Sequence, residues 1–263
     1  MGEIEIWPAL EEHVWLETEA LPDQFATTET IDPFDSGHEP RPGATLASAV
    51  YSKLRHDILS GILLPGSKLR TEFLRERYQV GNSPIREALN RLSAEGFVSR
   101  RDQKGFHVAG VSKADLLETI RTRVQLEEIA LRESIERGGR EWEEGIVLAN
   151  YRLSMVDKLA PKVTIAIDPE WERLHGDFHR ALISACGSRW LLQFCQQLMD
   201  RADRYRRLAM TTNTTERSEV DEHRAITEAT TARRADEAVQ LLTAHYTWTA
   251  DIIIKSLPAI LES

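Results

Sequence analysis

The sequence has few cysteines, lacks a long apolar run, and has almost no basic residues in its first 43 positions. Its two cysteines, Cys186 and Cys195, stand in an apolar helical pattern, so we expect buried thiols rather than a disulfide or a cysteine metal site. No apolar run reaches the length of a membrane span, and we find no signal-peptide pattern. We therefore expect a cytoplasmic protein with no membrane partner.

Charge is unevenly distributed along the chain, whose formal net charge is -9. Residues 1–43 contain eleven acids and a single base, Arg41, and we expect an acidic, largely disordered arm there. Residues 46–110 contain eleven lysines and arginines against six acids, whereas residues 111–263 are slightly acidic. We therefore divide the chain into three regions, 1–43, 44–110 and 111–263, of which the middle one is suited to a phosphate backbone.

The middle region has the pattern of a helix-turn-helix followed by a two-stranded wing. A first helix is predicted over 71–78, with Gly81 closing it at positive φ. Ser83 is predicted as the N-cap of a second helix whose first position is Pro84. Short strands at 97–98 and 106–108 flank a basic tip. This order of elements places a helix in the DNA major groove.

A simple helical hairpin would fit the helical pattern equally well, but the local positive charge favours a DNA-binding winged helix. Six residues near the start of the second helix, on the first helix and on the wing are the candidate DNA contacts. They are Arg70, Asn82, Ser83, Arg86, Lys104 and Gly105.

The rest of the chain has the 3.6-residue period of amphipathic helices. Helices are predicted at about 113–137, 141–160, 169–185, 189–209, 215–231 and 235–257, and no segment alternates at period two. The predicted fold is therefore mainly α, with an N-terminal winged helix-turn-helix and a C-terminal antiparallel bundle of six to seven helices.

Four histidines lie in this helical region. His175 and His179 are four positions apart, which places both imidazoles on one helix face, and His223 and His245 come from the last two predicted helices. Glu222 precedes His223 but points to another face, so we expect it to support a site or lie at the surface. Spacing alone leaves open both a metal site and a set of structural or solvated histidines.

No pattern of catalytic residues is found in the sequence. It contains no HExxH, P-loop or GxGxxG after a strand, and no Ser/His/Asp arrangement. We therefore expect no enzyme. Two alternatives remain open: a metal-dependent enzyme bundle with a non-functional helix-turn-helix, and an architectural DNA binder without a ligand.

Several segments resemble the GntR family of bacterial transcription regulators, in the FadR-like branch that carries an FCD effector-binding domain. The N-terminal matches are LRHDILSGILLPGSKL, SPIREALNRLSAEGFV and KGFHV, and the C-terminal matches are RVQLEEIAL, DFHRALISACGS and EHRAITEATTARRADEAVQLLTAHY. This resemblance implies a homodimer, usually a repressor, that binds inverted repeats in double-stranded operator DNA and responds to a small organic acid such as a dicarboxylic acid.

The resemblance also implies site residues. The family's metal is held by one Asp and three His, which correspond here to His179, His223 and His245, with His175 at the Asp position. Four imidazoles favour a borderline metal such as zinc, with nickel second. Arg123 matches a family arginine that faces the pocket and would pair with the effector carboxylate; the alternative is a surface arginine paired with Glu127.

The comparison with the family also ranks the DNA contacts. Arg86 keeps the family's position and is the predicted central contact, whereas Asn82 replaces an arginine and could read adenine through its amide.

Overall fold

The computed structural model describes residues 45–101, 104–158, 167–209 and 218–256, all of which fall in one compact unit. The predicted acidic arm at 1–43 lies outside them. The elements in chain order are α1 (Leu46–Leu59), α2 (Thr71–Tyr78), α3 (Asn82–Ala94), β1 (Val98–Arg101), β2 (Gly105–Val108), α4 (Lys113–Arg137), α5 (Arg140–Ser154), α6 (Pro169–Ile183), α7 (Arg189–Ala209), α8 (Glu219–Thr231) and α9 (Ala235–Ser256).

The head, residues 45–110, is built on α1, α3 and the wing. Leu54 and Ile58 of α1 and Leu89 and Leu92 of α3 are fully buried in one apolar core, since their side chains recur at helical spacing and face each other. The wing is an antiparallel pair in which Val98 lies opposite Val108. The winged helix-turn-helix architecture is thus as predicted, and α1 completes its core.

The turn between α2 and α3 differs from the prediction in two details. Gln79, not Gly81, takes the left-handed conformation that closes α2, with φ of 55°. Gly81 is extended and stands as the N-cap, so α3 begins at Asn82, and Ser83 is its second residue rather than its cap. A glycine without a side-chain acceptor can occupy an N-cap, which a search for Ser or Asp caps does not detect.

The bundle, residues 111–256, contains six described helices around one apolar core that includes Leu116, Leu131, Ile146, Phe178 and Leu182. The prediction of a mainly α fold with a helical C-terminal domain is confirmed. Both cysteines are buried and free, as expected. Among the described residues, no helix is both long and apolar enough to span a bilayer.

Three bundle helices differ from their predicted bounds. α5 ends at Ser154, several residues early, because Val156 turns back towards the core and its N–H bonds to the Leu153 carbonyl. α6 ends two residues early, with Ser184 as its C-cap. α8 begins at Glu219 because the Ser218 hydroxyl caps it by accepting from the Asp221 N–H. Predicted helical residues 159–160, 215–217 and 257 lie outside the described ranges.

Helix α7 joins the bundle to the head. Arg55 of α1 donates to the Asp200 carboxylate of α7, and both are buried. Arg204 donates to the Ala109 carbonyl in the segment that follows the wing, with an N–O distance of 2.6 Å. The Tyr205 hydroxyl donates to Asp115 at 2.6 Å, at the start of α4. One helix therefore contacts the first helix of the head, the linker and the first helix of the bundle.

Candidate functional site

The six candidate DNA contacts are all exposed on the head, and we call them the DNA face. Arg70 is the N-cap of α2. The first turns of α3 carry Asn82, Ser83 and Arg86, and the wing carries Lys104 and Gly105. Gly105 has φ of +81°, a conformation that L side chains rarely adopt. Arg70, Lys104 and Gly105 line a common open groove of about 430 Å³. This groove suits a phosphate backbone, while the start of α3 can reach base edges.

The four bundle histidines converge in the interior. His175 and His179 come from α6, which is started by Asp168 as N-cap and Pro169 in the first turn, while His223 comes from α8 and His245 from α9. All four side chains are buried, and one nitrogen from each lies within 4.8 Å of the others. The Nε2 atoms of His175 and His179 are 3.1 Å apart. Ligands of a tetrahedral zinc lie about 3.3 Å from one another, so small shifts would complete such a site.

Burial keeps the α6 imidazoles neutral. It is the largest cause that lowers the pKa of His175 well below its ordinary value, followed by the positive charge of Arg206. Burial also lowers the pKa of His179, with His245 as the next cause. Neutral imidazoles are the form that binds metals, so both residues have the neutral charge that metal binding requires.

Two histidines are oriented by partners on their outer side. The Nδ1–H of His245 donates to the Glu222 carboxylate at 2.8 Å, which directs the Nε2 lone pair away from Glu222. Glu222 thus supports the cluster, the first of the two roles expected for it. His179 Nδ1 lies 2.9 Å from the Tyr246 hydroxyl oxygen. A carboxylate or hydroxyl behind a histidine is the usual way of fixing a metal-ligating tautomer.

The Tyr246 hydroxyl contacts three partners but has only one proton to donate, which fixes the direction of each hydrogen bond. Its single proton is donated to the Glu127 carboxylate at 2.5 Å. The hydroxyl oxygen accepts from Arg123 Nη2 at 2.9 Å. His179 Nδ1 must therefore be the donor in its contact with Tyr246, so His179 Nε2 carries a lone pair.

Arg123 is buried beside the histidines rather than at the surface. It pairs with Glu127 at 2.7 Å, as the surface alternative expected, but its side chain is only 4% exposed and its guanidinium lies over the Tyr246 ring. Burial lowers its pKa, but Glu127 and Tyr246 offset this and raise the pKa above its ordinary value. Arg123 is therefore a permanent cation at the edge of the cluster.

Arg123, His175 and His245 line a common cavity that also includes Arg206. Its free volume is about 20 Å³, enough for roughly one water molecule. An organic acid could enter only if side chains moved.

Arg206 was missed by the sequence reasoning. It is buried on α7, and its Nη1 lies 2.8 Å from His175 Nδ1. Arg206 follows His175 by 31 positions, so no local pattern signals this contact, and an arginine on a helix is ordinarily expected at the surface. Sequence reasoning also could not identify Tyr246 of α9 as the partner of His179, or Glu127 of α4 as the partner of Tyr246, because these contacts join different helices.

The donor set fits a borderline divalent metal. Four imidazoles supply nitrogen donors and no negative charge, which suits zinc or nickel better than the oxygen-seeking magnesium or calcium. His179 and His245 each carry a lone pair on Nε2, because their protons lie on Nδ1. His175 has no lone pair on Nε2, because Arg206 donates to its Nδ1 and its proton therefore lies on Nε2.

Comparison with known proteins agrees with this architecture. Residues 46–108 match the family described as "Bacterial regulatory proteins, gntR family", and residues 118–247 match the FCD domain. FCD domains commonly bind a metal. The chain is 39% identical to the HTH-type transcriptional regulator BphR of Paraburkholderia xenovorans, over 76% of this chain and 82% of BphR. It is 36% identical to the HTH-type transcriptional repressor GlaR of Escherichia coli, over 74% of this chain and 90% of GlaR.

Solved structures share the fold. E. coli McbR/YncC aligns with a TM-score of 0.66 and 22% identity, covering 80% of this chain and 98% of that one. A GntR regulator from Rhodococcus sp. RHA1 aligns with a TM-score of 0.62 and 19% identity, covering 80% of this chain and 98% of that one. The relatives are transcriptional regulators, which confirms the prediction that the chain is a regulator rather than an enzyme. The chain belongs to the GntR family of bacterial transcriptional regulators, and its helical region is an FCD domain.

Proposed function

We propose that the protein is a cytoplasmic, homodimeric repressor whose affinity for operator DNA is controlled by a small carboxylic acid bound at a zinc site in the bundle. The observation that carries this proposal is the convergence of His175, His179, His223 and His245 in the interior. Four buried imidazoles contribute little to an apolar core, and their natural use is to hold a metal. The name of the relative GlaR, a transcriptional repressor, supports repression.

On the DNA side, Arg86 reads a base edge in the major groove, and Asn82 contacts adenine through its amide. Ser83, Arg70, Lys104 and Gly105 contact the phosphate backbone. These roles follow from exposure at the start of α3 and along the groove beside the wing. In a homodimer, two such faces would meet half-sites about one helical turn apart.

In the bundle, the four histidines would hold zinc, with nickel as the second candidate, and the metal would supply positive charge and Lewis acidity toward a carboxylate. Arg123 would add a guanidinium to the same anion, which gives it two cationic partners. The 20 Å³ of free space between Arg123 and the histidines implies that the acid binds by displacing existing contacts.

Helix α7 is the route by which the effector would reach the head. It contacts His175 through Arg206, the linker through Arg204, and α1 through Asp200. A shift of α7 would change the position of the head relative to the bundle and so the spacing of the two DNA faces. The effector must bind one arrangement more tightly than the other, since only differential affinity moves the equilibrium.

The test measures DNA affinity as a function of metal and acid. The operator is first obtained by selecting bound sequences from random duplexes, and its affinity is then measured by fluorescence anisotropy with zinc-loaded and chelator-treated protein. Acetate, succinate and glutarate are compared with their uncharged amides. We expect at least one acid to weaken operator binding only when zinc is present. DNA binding that ignores every acid would instead favour an architectural role.

Metal content is tested separately by native mass spectrometry. The double variant His175→Ala/His179→Ala should lose zinc, whereas His56→Ala, which removes an exposed histidine of α1, should retain it. Full retention of zinc by the double variant would exclude this cluster as the metal site.

A further inference from the structure

Arg206 donates a hydrogen bond to one of the four clustered histidines. Arg206 is 5% exposed, and its guanidinium donates to His175 Nδ1 at 2.8 Å and also contacts the carboxylates of Glu172 at 3.3 Å and Asp203 at 3.0 Å. A guanidinium has five N–H donors and no acceptor, and it does not lose its proton in proteins. His175 Nδ1 must therefore accept in this contact.

This direction decides where the proton of His175 lies. A neutral imidazole that accepts at Nδ1 carries its proton on Nε2. The Nε2 atom of His175 lies 3.1 Å from Nε2 of His179, so its N–H donates to the lone pair of His179. The proton thus stands between the two nitrogens where a metal ion would bind.

The same chain of hydrogen bonds continues to the far side of the cluster. Arg206 donates to His175, His175 to His179, His179 to Tyr246, and Tyr246 to Glu127. His179 needs no change of tautomer to bind a metal through Nε2, because its proton already lies on Nδ1. His175 does need a change: one proton must move from Nε2 to Nδ1, where it would face the N–H groups of Arg206.

We propose that Arg206 competes with the metal for His175. His179, His223 and His245 hold the metal, and His175 joins them only when Arg206 turns away from it. This inference rests on the metal site of the proposed function. It also names a role for the acid, because a carboxylate that accepts from Arg206 releases His175 and tightens the metal site. By linkage, the metal then tightens binding of the acid by the same factor.

The test is a double-mutant cycle read out as Zn²⁺ affinity, measured by competition with a chromogenic chelator in the absence of any acid. Arg206→Met removes the donors and keeps most of the apolar stem. We expect it to raise Zn²⁺ affinity about tenfold, the size of effect typical of groups that orient metal ligands. His175→Ala should change the affinity less than about threefold in the wild-type background and lower it about tenfold in the Arg206→Met background.

Arg207→Met is the matched control. Arg207 is the next residue on α7 and also pairs with Glu172, but it makes no described contact with His175. Arg207→Met therefore measures how much the loss of a nearby positive charge alone raises the Zn²⁺ affinity. The expected increase for Arg206→Met must exceed it. Equal increases in the two variants would overturn the proposal.

Two further results keep the test decisive. Glu172 retains Arg207 when Arg206 is removed, so the variant should fold, which circular dichroism and thermal unfolding of the metal-free protein would check. Arg206→Gln provides a second variant, because an amide oxygen can accept from a His175 Nδ1–H, and it too should raise Zn²⁺ affinity. An equal cost of His175→Ala in both backgrounds would refute the competition while leaving the metal site intact. Failure of the wild-type protein to bind Zn²⁺ would refute the site itself.

Discussion

The DNA face of the head and the histidine cluster of the bundle both use arginines, but in opposite ways. Arg70 and Arg86 are exposed, and neither forms an ion pair with any residue in the described ranges. Arg123 and Arg206 are buried, and each already contacts a carboxylate. The head is therefore ready to receive an anion that arrives from solvent, whereas an anion that enters the bundle must replace an existing partner.

This difference gives the two regions different roles in regulation. An exposed cation contributes affinity that salt can screen, and it need not move to do so. A buried cation that exchanges one anion for another changes the contacts of the helix that carries it. For Arg206 that helix is α7, which also holds the head. Under the proposed function, occupancy of the bundle would therefore move α7, whereas the exposed arginines of the head can bind an anion without moving.

The largest expected effect concerns the junction between the two regions. Asp200→Ala removes the carboxylate that pairs with the buried Arg55, and breaking one side of a buried pair costs about 3–5 kcal/mol. We expect the free energy of unfolding, from urea denaturation, to fall by that amount.

Glu144→Ala is the control for this prediction. It breaks the exposed pair between Arg140 and Glu144 in α5 and should cost less than about 1 kcal/mol. Similar losses in the two variants would show that the Arg55–Asp200 pair does not hold head and bundle together.

The next prediction compares the loss of one tyrosine hydroxyl in the bundle with the loss of one in the head. Tyr246→Phe removes the acceptor of the His179 Nδ1–H, so the tautomer of His179 is no longer fixed and Zn²⁺ affinity should fall about tenfold. Tyr51→Phe deletes a buried hydroxyl in the head, where it donates to Glu95, and should leave Zn²⁺ affinity unchanged. Chelator competition measures both, and an unchanged affinity in Tyr246→Phe would argue that this hydroxyl does not orient a ligand.

A third prediction tests the exposed side of the comparison. Arg86→Ala should lower operator affinity by about 1–3 kcal/mol, the value of a good bidentate base contact. Arg121→Ala, which removes an exposed arginine of α4 in the bundle, should leave DNA affinity within error. Anisotropy titrations of the selected operator provide the measurement, and equal losses would mean that Arg86 contributes only its charge.

The head and the bundle also differ in how much of their structure the sequence could predict. The head was predictable because its signals are local: the order of helix, turn, helix and ribbon lies within about forty residues, and its charge can be counted. The errors there were small, and they arose because Gln79 took the left-handed position that a glycine usually occupies and left Gly81 free to act as the N-cap.

In the bundle, the histidines were detectable but their partners were not. The i, i+4 spacing of His175 and His179 is a local signal, and the structure brings them together with His223 and His245. The contact of Arg206 with His175, and that of Tyr246 with His179, depend on how α7 and α9 pack against α6. Buried charges such as Arg55 are missed for the same reason, since sequence patterns place arginine at the surface until its distant partner is known.

The smallest expected effect separates two kinds of contact within the DNA face itself. Lys104 and Arg70 line the groove next to the wing, and under the proposed function both contact phosphate rather than a base edge. Lys104→Ala should therefore weaken binding to operator and unrelated DNA by the same factor and reduce the slope of log affinity against log salt by about 1. Arg86→Ala should instead reduce the ratio of operator to unrelated affinity. The two variants measured over a salt series distinguish the roles, because loss of a phosphate contact preserves that ratio and loss of a base contact does not. A changed ratio in Lys104→Ala would place the wing on the bases and so assign part of the operator sequence to it.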